Sequence, residues 1–163
     1  MLIGVISDTH DRLPMIDAAL KLFEARGVGA VIHPGDLVAP FAAKQLLQYR
    51  GPLYVVYGNN DGERVGLKTI LPQIQNGPLF VELGGRTILV HHFIDWCEPE
   101  DVERADIVIT GHTHEVVNAV EGKMKTLILN PGECCGWVNG PCTVAIVDTA
   151  GPSAEIFDLE SSL

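Results

Sequence analysis

The opening of the chain alternates short apolar runs with amphipathic stretches, and this alternation limits the fold more than any other feature. Residues 2–7 form an apolar run that reads as a buried strand. Residues 13–26 follow with helical spacing. Ile16, Ala19, Leu20 and Phe23 line one face, and Gly27 marks the stop. Residues 30–33 read as a second buried strand, broken by Pro34-Gly35, and residues 41–49 as a second helix. Residues 53–57 give a third strand. Residues 63–75 give a third helix whose length Pro72 limits. Such a β-α-β-α-β opening predicts a parallel sheet with right-handed crossovers. Ligands of such sheets bind at the carboxyl ends of the strands.

The second half changes character. Residues 79–83 and 86–90, joined by Gly84-Gly85, read as a hairpin. Residues 101–104 form a short helix, and residues 107–110, 115–120, 125–129, 143–147 and 154–157 are strand-like. With 163 residues and no repeat or linker, the pattern predicts one α/β domain over residues 1–163, built of two packed sheets flanked by helices.

Composition removes several functions. The apolar fraction of 47% excludes a disordered chain. No apolar run approaches about 18 residues, so no membrane span is expected. The start lacks a basic segment and reads as a strand rather than a signal peptide. Eleven basic against twenty-one acidic side chains give a net charge of −10, which argues against a stable nucleic-acid complex. A small phosphorylated substrate at a metal site stays compatible with that charge. Cys97, Cys134, Cys135 and Cys142 contain no C-x-x-C and read as reduced thiols of a cytoplasmic protein. No P-loop or dinucleotide-binding glycine motif follows a strand.

The residues after the strands carry the chemistry. Ser7-Asp8-Thr9-His10, His33-Pro34-Gly35-Asp36, Gly58-Asn59-Asn60-Asp61, His91-His92 and Gly111-His112-Thr113-His114 each follow an apolar run. Five strand ends thus deliver metal-type ligands to one edge of the fold. In an extended segment residues i and i+2 face the same side, so Asp8 with His10, and His112 with His114, can converge on an ion. Singly, each motif also fits turn chemistry or a solvated histidine; their conjunction does not.

The ordered blocks D-x-H, G-D, G-N-x-D, H-H and G-H-x-H resemble the calcineurin-like metallophosphoesterase superfamily over essentially the whole chain. The length and Asn130-Pro131-Gly132-Glu133-Cys134-Cys135-Gly136 look most like its small archaeal and bacterial phosphodiesterases. The resemblance implies a four-layer α-β-β-α sandwich, two mixed sheets face to face with helices outside. It implies a site for two divalent ions. Asp8, His10 and His114 would bind one, Asn59, His91 and His112 the other, and Asp36 would bridge them. A carboxylate can place one oxygen on each of two ions about 3.5–4 Å apart. The mixed nitrogen and oxygen set suits Mn, Ni, Fe, Zn or Co, with Mn first, rather than Mg or Ca. The implied reaction is hydrolysis of a small phosphodiester by metal-bound hydroxide. The alternatives are a phosphomonoesterase on the same site or a non-catalytic scaffold of the retromer-subunit type. A homodimer is a further expectation from the resemblance.

Two departures from the family pattern stand out. Asn60 occupies the place where many relatives carry a proton-donating histidine. His92 stands where glycine usually follows the ligand histidine. His91 directly follows the strand and is taken as the ligand, which leaves His92 as a rim residue or auxiliary acid. Asp61 reads as a carboxylate orienting a ligand histidine or as a helix cap. His33 reads as a satisfied strand-end histidine or a support for the site, and Asn130 as a turn residue in a loop near the metals. Arg12 and Arg64 are candidate phosphate contacts or solvated arginines. Trp96 and Trp137 fit an interface, a pocket cover or core packing.

Overall fold

A computed structural model describes residues 1–122 and 124–160. The expected strand-helix alternation is present: β1 (Leu2–Val5), α1 (Leu13–Ala25), β2 (Ala30–His33), α2 (Pro40–Leu46), β3 (Leu53–Val55) and α3 (Arg64–Ile70). The hairpin β4 (Leu79–Leu83) and β5 (Arg86–Val90) leads to a 3-10 turn (Ile94–Trp96) and α4 (Pro99–Arg104). The chain then runs through β6 (Ile107–Ile109), β7 (Val116–Glu121), β8 (Thr126–Pro131), β9 (Thr143–Asp148) and β10 (Ser153–Asp158).

The strands make two five-stranded mixed sheets, ordered β10-β9-β1-β2-β3 and β4-β5-β6-β8-β7. β1, β2 and β3 run parallel, as do β5, β6 and β8; β9, β10, β4 and β7 join antiparallel. Alternation along the strands builds the layers. Ile3, Val5, Ala30 and Ile32 of the first sheet meet Ile88, Val90, Ile107, Ile109, Leu127 and Leu129 of the second in one buried cluster. The opposite face of the first sheet, with Val31, Val55, Val144 and Ile146, packs on Ile16, Ala19, Leu20 and Phe23 of α1 and on α2 and α3. Leu89 and Val108 of the second sheet pack outward against Ala105 and Val102 beside α4. The result is the four-layer sandwich. Among the described residues no helix is long and apolar enough to cross a membrane.

Two helices are shorter than their sequence pattern. α3 ends at Ile70 because Leu71 precedes Pro72, and that position is pushed out of the helical region: Leu71 has φ −114° and ψ 79°. α2 closes at Leu46 with a tight turn through Leu47 and Gln48. The 3-10 turn at Ile94–Trp96 had no sequence signal, since three residues are too few to show a period.

Candidate dinuclear metal centre

Six loops meet at the carboxyl edge of the parallel strands: those after β1, β2, β3, β5, β6 and β8. Their backbones are interlocked. Asp8 N–H donates to Gly35 O at 3.2 Å and Thr9 N–H to Asp36 O at 3.0 Å. Cys135 N–H donates to Asp8 O at 3.1 Å and Gly111 N–H to His92 O at 2.8 Å. The Gly58 and Gly111 backbones press so closely on Asp36 and on Ser7 with Asp8 that a Cβ at either position would collide with those side chains.

The D-x-H and H-x-H segments are not extended, contrary to the sequence reading. Asp8, His10, Asp36, His112 and His114 have φ of 50°, 38°, 61°, 70° and 62°. Left-handed backbone at a non-glycine residue is strained and persists only where surrounding bonds fix it. Here the interlocked loops do so, and it is this curl that turns the side chains together.

Asp8 and Asp36 are buried, with 0% and 1% of their surface exposed. His10 Nε2 lies 3.9 Å from Asp8 Oδ1 and 3.5 Å from Asp36 Oδ2, and it is buried without a hydrogen-bond partner. His114 Nε2 lies 3.4 Å from Asp8 Oδ1. On the other side His92 Nε2 is 3.6 Å from Asp36 Oδ2 and 2.8 Å from Asn59 Oδ1. His112 Nδ1 is 2.7 Å from the same Asn59 oxygen. Asp8, His10, Asp36, Asn59, His112 and His114 are therefore brought together.

His91 is not. In β5, Ile88 and Val90 face the inter-sheet core and Leu89 faces outward. The same alternation carried past the strand sends His92 inward and His91 outward. His91 sits edge-on to Trp96 at 5.7 Å between ring centres, and its Nδ1 accepts the His92 backbone N–H at 2.9 Å. The site position expected for His91 belongs to His92, which is neither on the rim nor exposed.

Proton positions follow from the fixed partners. His92 Nδ1 faces Pro34 O at 2.9 Å, and a carbonyl only accepts, so Nδ1 carries the proton. Burial lowers the His92 pKa, keeping the ring neutral and leaving an Nε2 lone pair aimed at the oxygens of Asn59 and Asp36. His114 repeats the arrangement with a carboxylate: Nδ1 lies 2.7 Å from Glu133 Oε2. Burial alone would raise the Glu133 carboxyl. Its bonds from Asn139 N–H, the His114 ring, the Cys135 thiol and Val138 N–H outweigh that and hold it at about 2. Glu133 is thus an ionised anchor for the His114 ring. Burial also pushes Asp8 up to about 7, with the Asp36 charge adding to the rise and bonds from Ser7 and His112 opposing it. Lone pairs of four histidines, one amide and two buried carboxylates converge without enough protons to separate them. Divalent cations would satisfy that donor set.

The remaining candidates hold the frame. Asp61 orients no histidine and caps no helix. Its carboxylate accepts from the backbone N–H groups of Gly58 at 2.7 Å, Asp36 at 3.1 Å and Val38 at 2.7 Å, pinning two of the loops. α3 starts after Glu63 without a side-chain cap. His33 is a satisfied core residue: Nδ1 accepts Gly35 N–H at 3.1 Å, Nε2 meets Thr9 Oγ1 at 3.1 Å, and burial lowers it to about 3. Asn130 makes a local turn through Gly132 N–H and braces the His112 loop through Gly111 O at 2.7 Å. Asn60 donates through its backbone and side chain to Asp36 at 2.8 and 2.7 Å. Arg12 is taken up by Cys135 O and Glu160, and Arg64 by the carbonyls of Asp61 and Gly58 and by Asn76. Cys135 has its Sγ within 4.8 Å of the His10 and His114 nitrogens, but its thiol points to Glu133 at 3.2 Å.

Residues 1–151 match the Calcineurin-like phosphoesterase superfamily domain. The chain is 39% identical over 157 residues to the phosphodiesterase MJ0936 of Methanocaldococcus jannaschii, covering 91% of this chain and 93% of that one. The solved structure of an archaeal phosphodiesterase has a TM-score of 0.82 and 36% identity, covering 97% of this chain and 99% of that one. The Escherichia coli phosphoesterase YfcE shares the fold, with a TM-score of 0.76 at 20% identity over 100% of this chain and 96% of its own. The chain belongs to the calcineurin-like phosphoesterase superfamily.

Proposed function

We propose that the chain is a phosphodiesterase that hydrolyses a small phosphodiester with two divalent transition-metal ions. Asp8, His10 and His114 would hold one ion, Asn59, His92 and His112 the other, and Asp36 both. The observation that carries this reading is the single Asp36 Oδ2 atom. It stands 3.5 Å from His10 Nε2 and 3.6 Å from His92 Nε2, shared between two donor groups. When bound, the ions would attract the phosphate anion despite the acidic chain and activate water for attack at phosphorus. One ester P–O bond breaks and a P–O bond to the water oxygen forms, leaving a phosphomonoester and an alcohol.

The chain's own residues set the geometry. Pro34 O and Glu133 hold the Nδ1 protons of His92 and His114, which keeps each Nε2 directed inward. Asn60 offers hydrogen bonds but cannot act as a general acid. The proton for an alkoxide leaving group would then come from water at the site rather than from this position. The mixed nitrogen and oxygen donor set accepts Mn²⁺, Ni²⁺, Fe²⁺, Zn²⁺ or Co²⁺, and Mn²⁺ is the first ion to test. Four free thiols, three of them buried, fit a reducing cytoplasm as the place of action.

The test is hydrolysis of bis(p-nitrophenyl) phosphate beside p-nitrophenyl phosphate, with EDTA and with added Mn²⁺. We expect cleavage only with the metal, and the diester preferred. A preference for the monoester would install the monoesterase reading, and no turnover with any of the five ions would remove catalysis. A separate expectation concerns Glu133→Gln. Loss of the anionic partner should weaken metal binding about 10–100-fold, read by titration calorimetry. Wild-type affinity would show that the His114 orientation does not depend on Glu133.

A further inference from the structure

The chain has only two tryptophans, and both stay exposed, Trp96 by 47% and Trp137 by 63%. Tryptophan normally contributes to stability by burying its large ring. Here neither ring is spent on the core. Trp96 lies on the 3-10 turn after β5, with its ring centre 5.9 Å from those of His92 and His112. The Phe93 ring centre lies 4.4 Å from that of His112 and 5.9 Å, edge-on, from that of Trp96. Trp137 lies on the loop between β8 and β9. Its Nε1–H donates to His10 O at 3.4 Å, and its backbone N–H to Glu133 Oε2 at 3.1 Å. The Arg12 guanidinium stands 4.9 Å over its ring. One tryptophan therefore marks the His92–His112 end of the donor row and the other the His10–His114 end. Asp36 sits between them.

We propose that Trp96 and Trp137 each stack on one organic arm of the substrate. The substrate would then be a diester with a planar aromatic group on both sides of its phosphate, of the dinucleoside phosphate class. This rests on the phosphodiesterase reading above. The two arms of a phosphodiester diverge from phosphorus. A phosphate over the middle of the row would send one arm toward each tryptophan. Indole stacking accepts every nucleobase, because each has a π face, so the platforms select for aromatic arms rather than for one base. Both rings are held by neighbours before substrate arrives, which lowers the ordering cost of binding. A net charge of −10 disfavours a long polyanion, so a single phosphate between two nucleosides fits better than a polymer end.

The experiment compares two diesters with the same leaving group. Bis(p-nitrophenyl) phosphate has two aromatic arms, and methyl p-nitrophenyl phosphate has one. The ratio of their kcat/KM values is measured for the Mn²⁺-loaded wild type, Trp96→Ala and Trp137→Ala. Any general damage to the site cancels in the ratio. We expect it to fall about tenfold in at least one variant, with the change in KM. An unchanged ratio in both variants overturns the proposal. So does a change in oligomeric mass on gel filtration without a change in ratio, which would make the tryptophans an interface. A binding readout separates this proposal from the activity itself. Stopped-flow mixing of adenylyl-adenosine with Zn²⁺-loaded protein should quench tryptophan emission saturably before turnover, and less in each variant. If neither ester is cleaved, the phosphodiesterase reading fails on its own account. The quench alone then decides whether the two rings receive a dinucleoside phosphate, and its absence rejects the platforms.

Discussion

Asp36→Asn is expected to remove metal retention and diester hydrolysis together. Among the described residues Asp36 is the one side chain that reaches both donor groups, and the substitution leaves a single carbonyl oxygen where a two-oxygen anion stood. Loss of a ligand's supporting partner already costs about 10–100-fold in affinity or activity, so loss of the shared ligand should cost more than about 100-fold. Elemental analysis after gel filtration should find at most one ion per chain, against two in the wild type. Misfolding would give the same loss of activity, and stability measurements separate the two. In the metal-free protein, Asp8 and Asp36 are buried neighbours whose charges oppose each other. Neutralising Asp36 relieves that repulsion, and exposed Asn60, its hydrogen-bond partner, can turn to water. The metal-free variant should therefore melt no lower than the metal-free wild type. Added Mn²⁺ at about 100 times its Kd should stabilise the wild type by about 2.7 kcal/mol and the variant by much less. A variant that keeps both ions and the wild-type rate would remove Asp36 from the bridging position.

The sheets were legible because most strands are short apolar runs closed by a polar or turn residue, β7 and β10 being the mixed, more exposed ones. Their order across two sheets was not, since pairing partners such as β1 with β9 lie far apart in sequence. The helices were legible as amphipathic stretches, and only Pro72 and the turn at Leu47 shortened them. The convergence of Asp8, His10, Asp36, Asn59, His112 and His114 could be read from their places at strand ends. The way they converge could not. Positive φ at Asp8 or His112 is imposed by bonds from other loops, and no local propensity announces it. Glu133 was missed because a carboxylate in a Pro-Gly loop has no signature until His114, nineteen positions earlier, is placed beside it. Asp61 drew attention as a carboxylate near histidines, yet its work is on backbone N–H groups of neighbouring loops.

The adjacent histidines offer the sharpest contrast between the two readings, because sequence position and strand alternation disagree. His91 follows the strand directly, while His92 shares the parity of Ile88 and Val90 and points into the site. His92→Ala should lower kcat/KM by more than about 100-fold and weaken one of the two metal positions, since it removes a donor beside Asp36 and leaves the Pro34 carbonyl without its partner. His91→Ala should act differently. It leaves the His92 backbone N–H without its acceptor and removes the ring that packs edge-on against Trp96. An unsatisfied buried N–H costs about 1–3 kcal/mol, so this variant should lose thermal stability while changing kcat/KM by less than about tenfold. Metal stoichiometry should stay at wild type in His91→Ala and fall in His92→Ala. The reverse pattern would return the ligand role to His91 and would mean that the loop after β5 rotates when metal binds. Equal losses of metal in both variants would instead make the pair one unit, with His91 fixing the backbone from which His92 reaches the site.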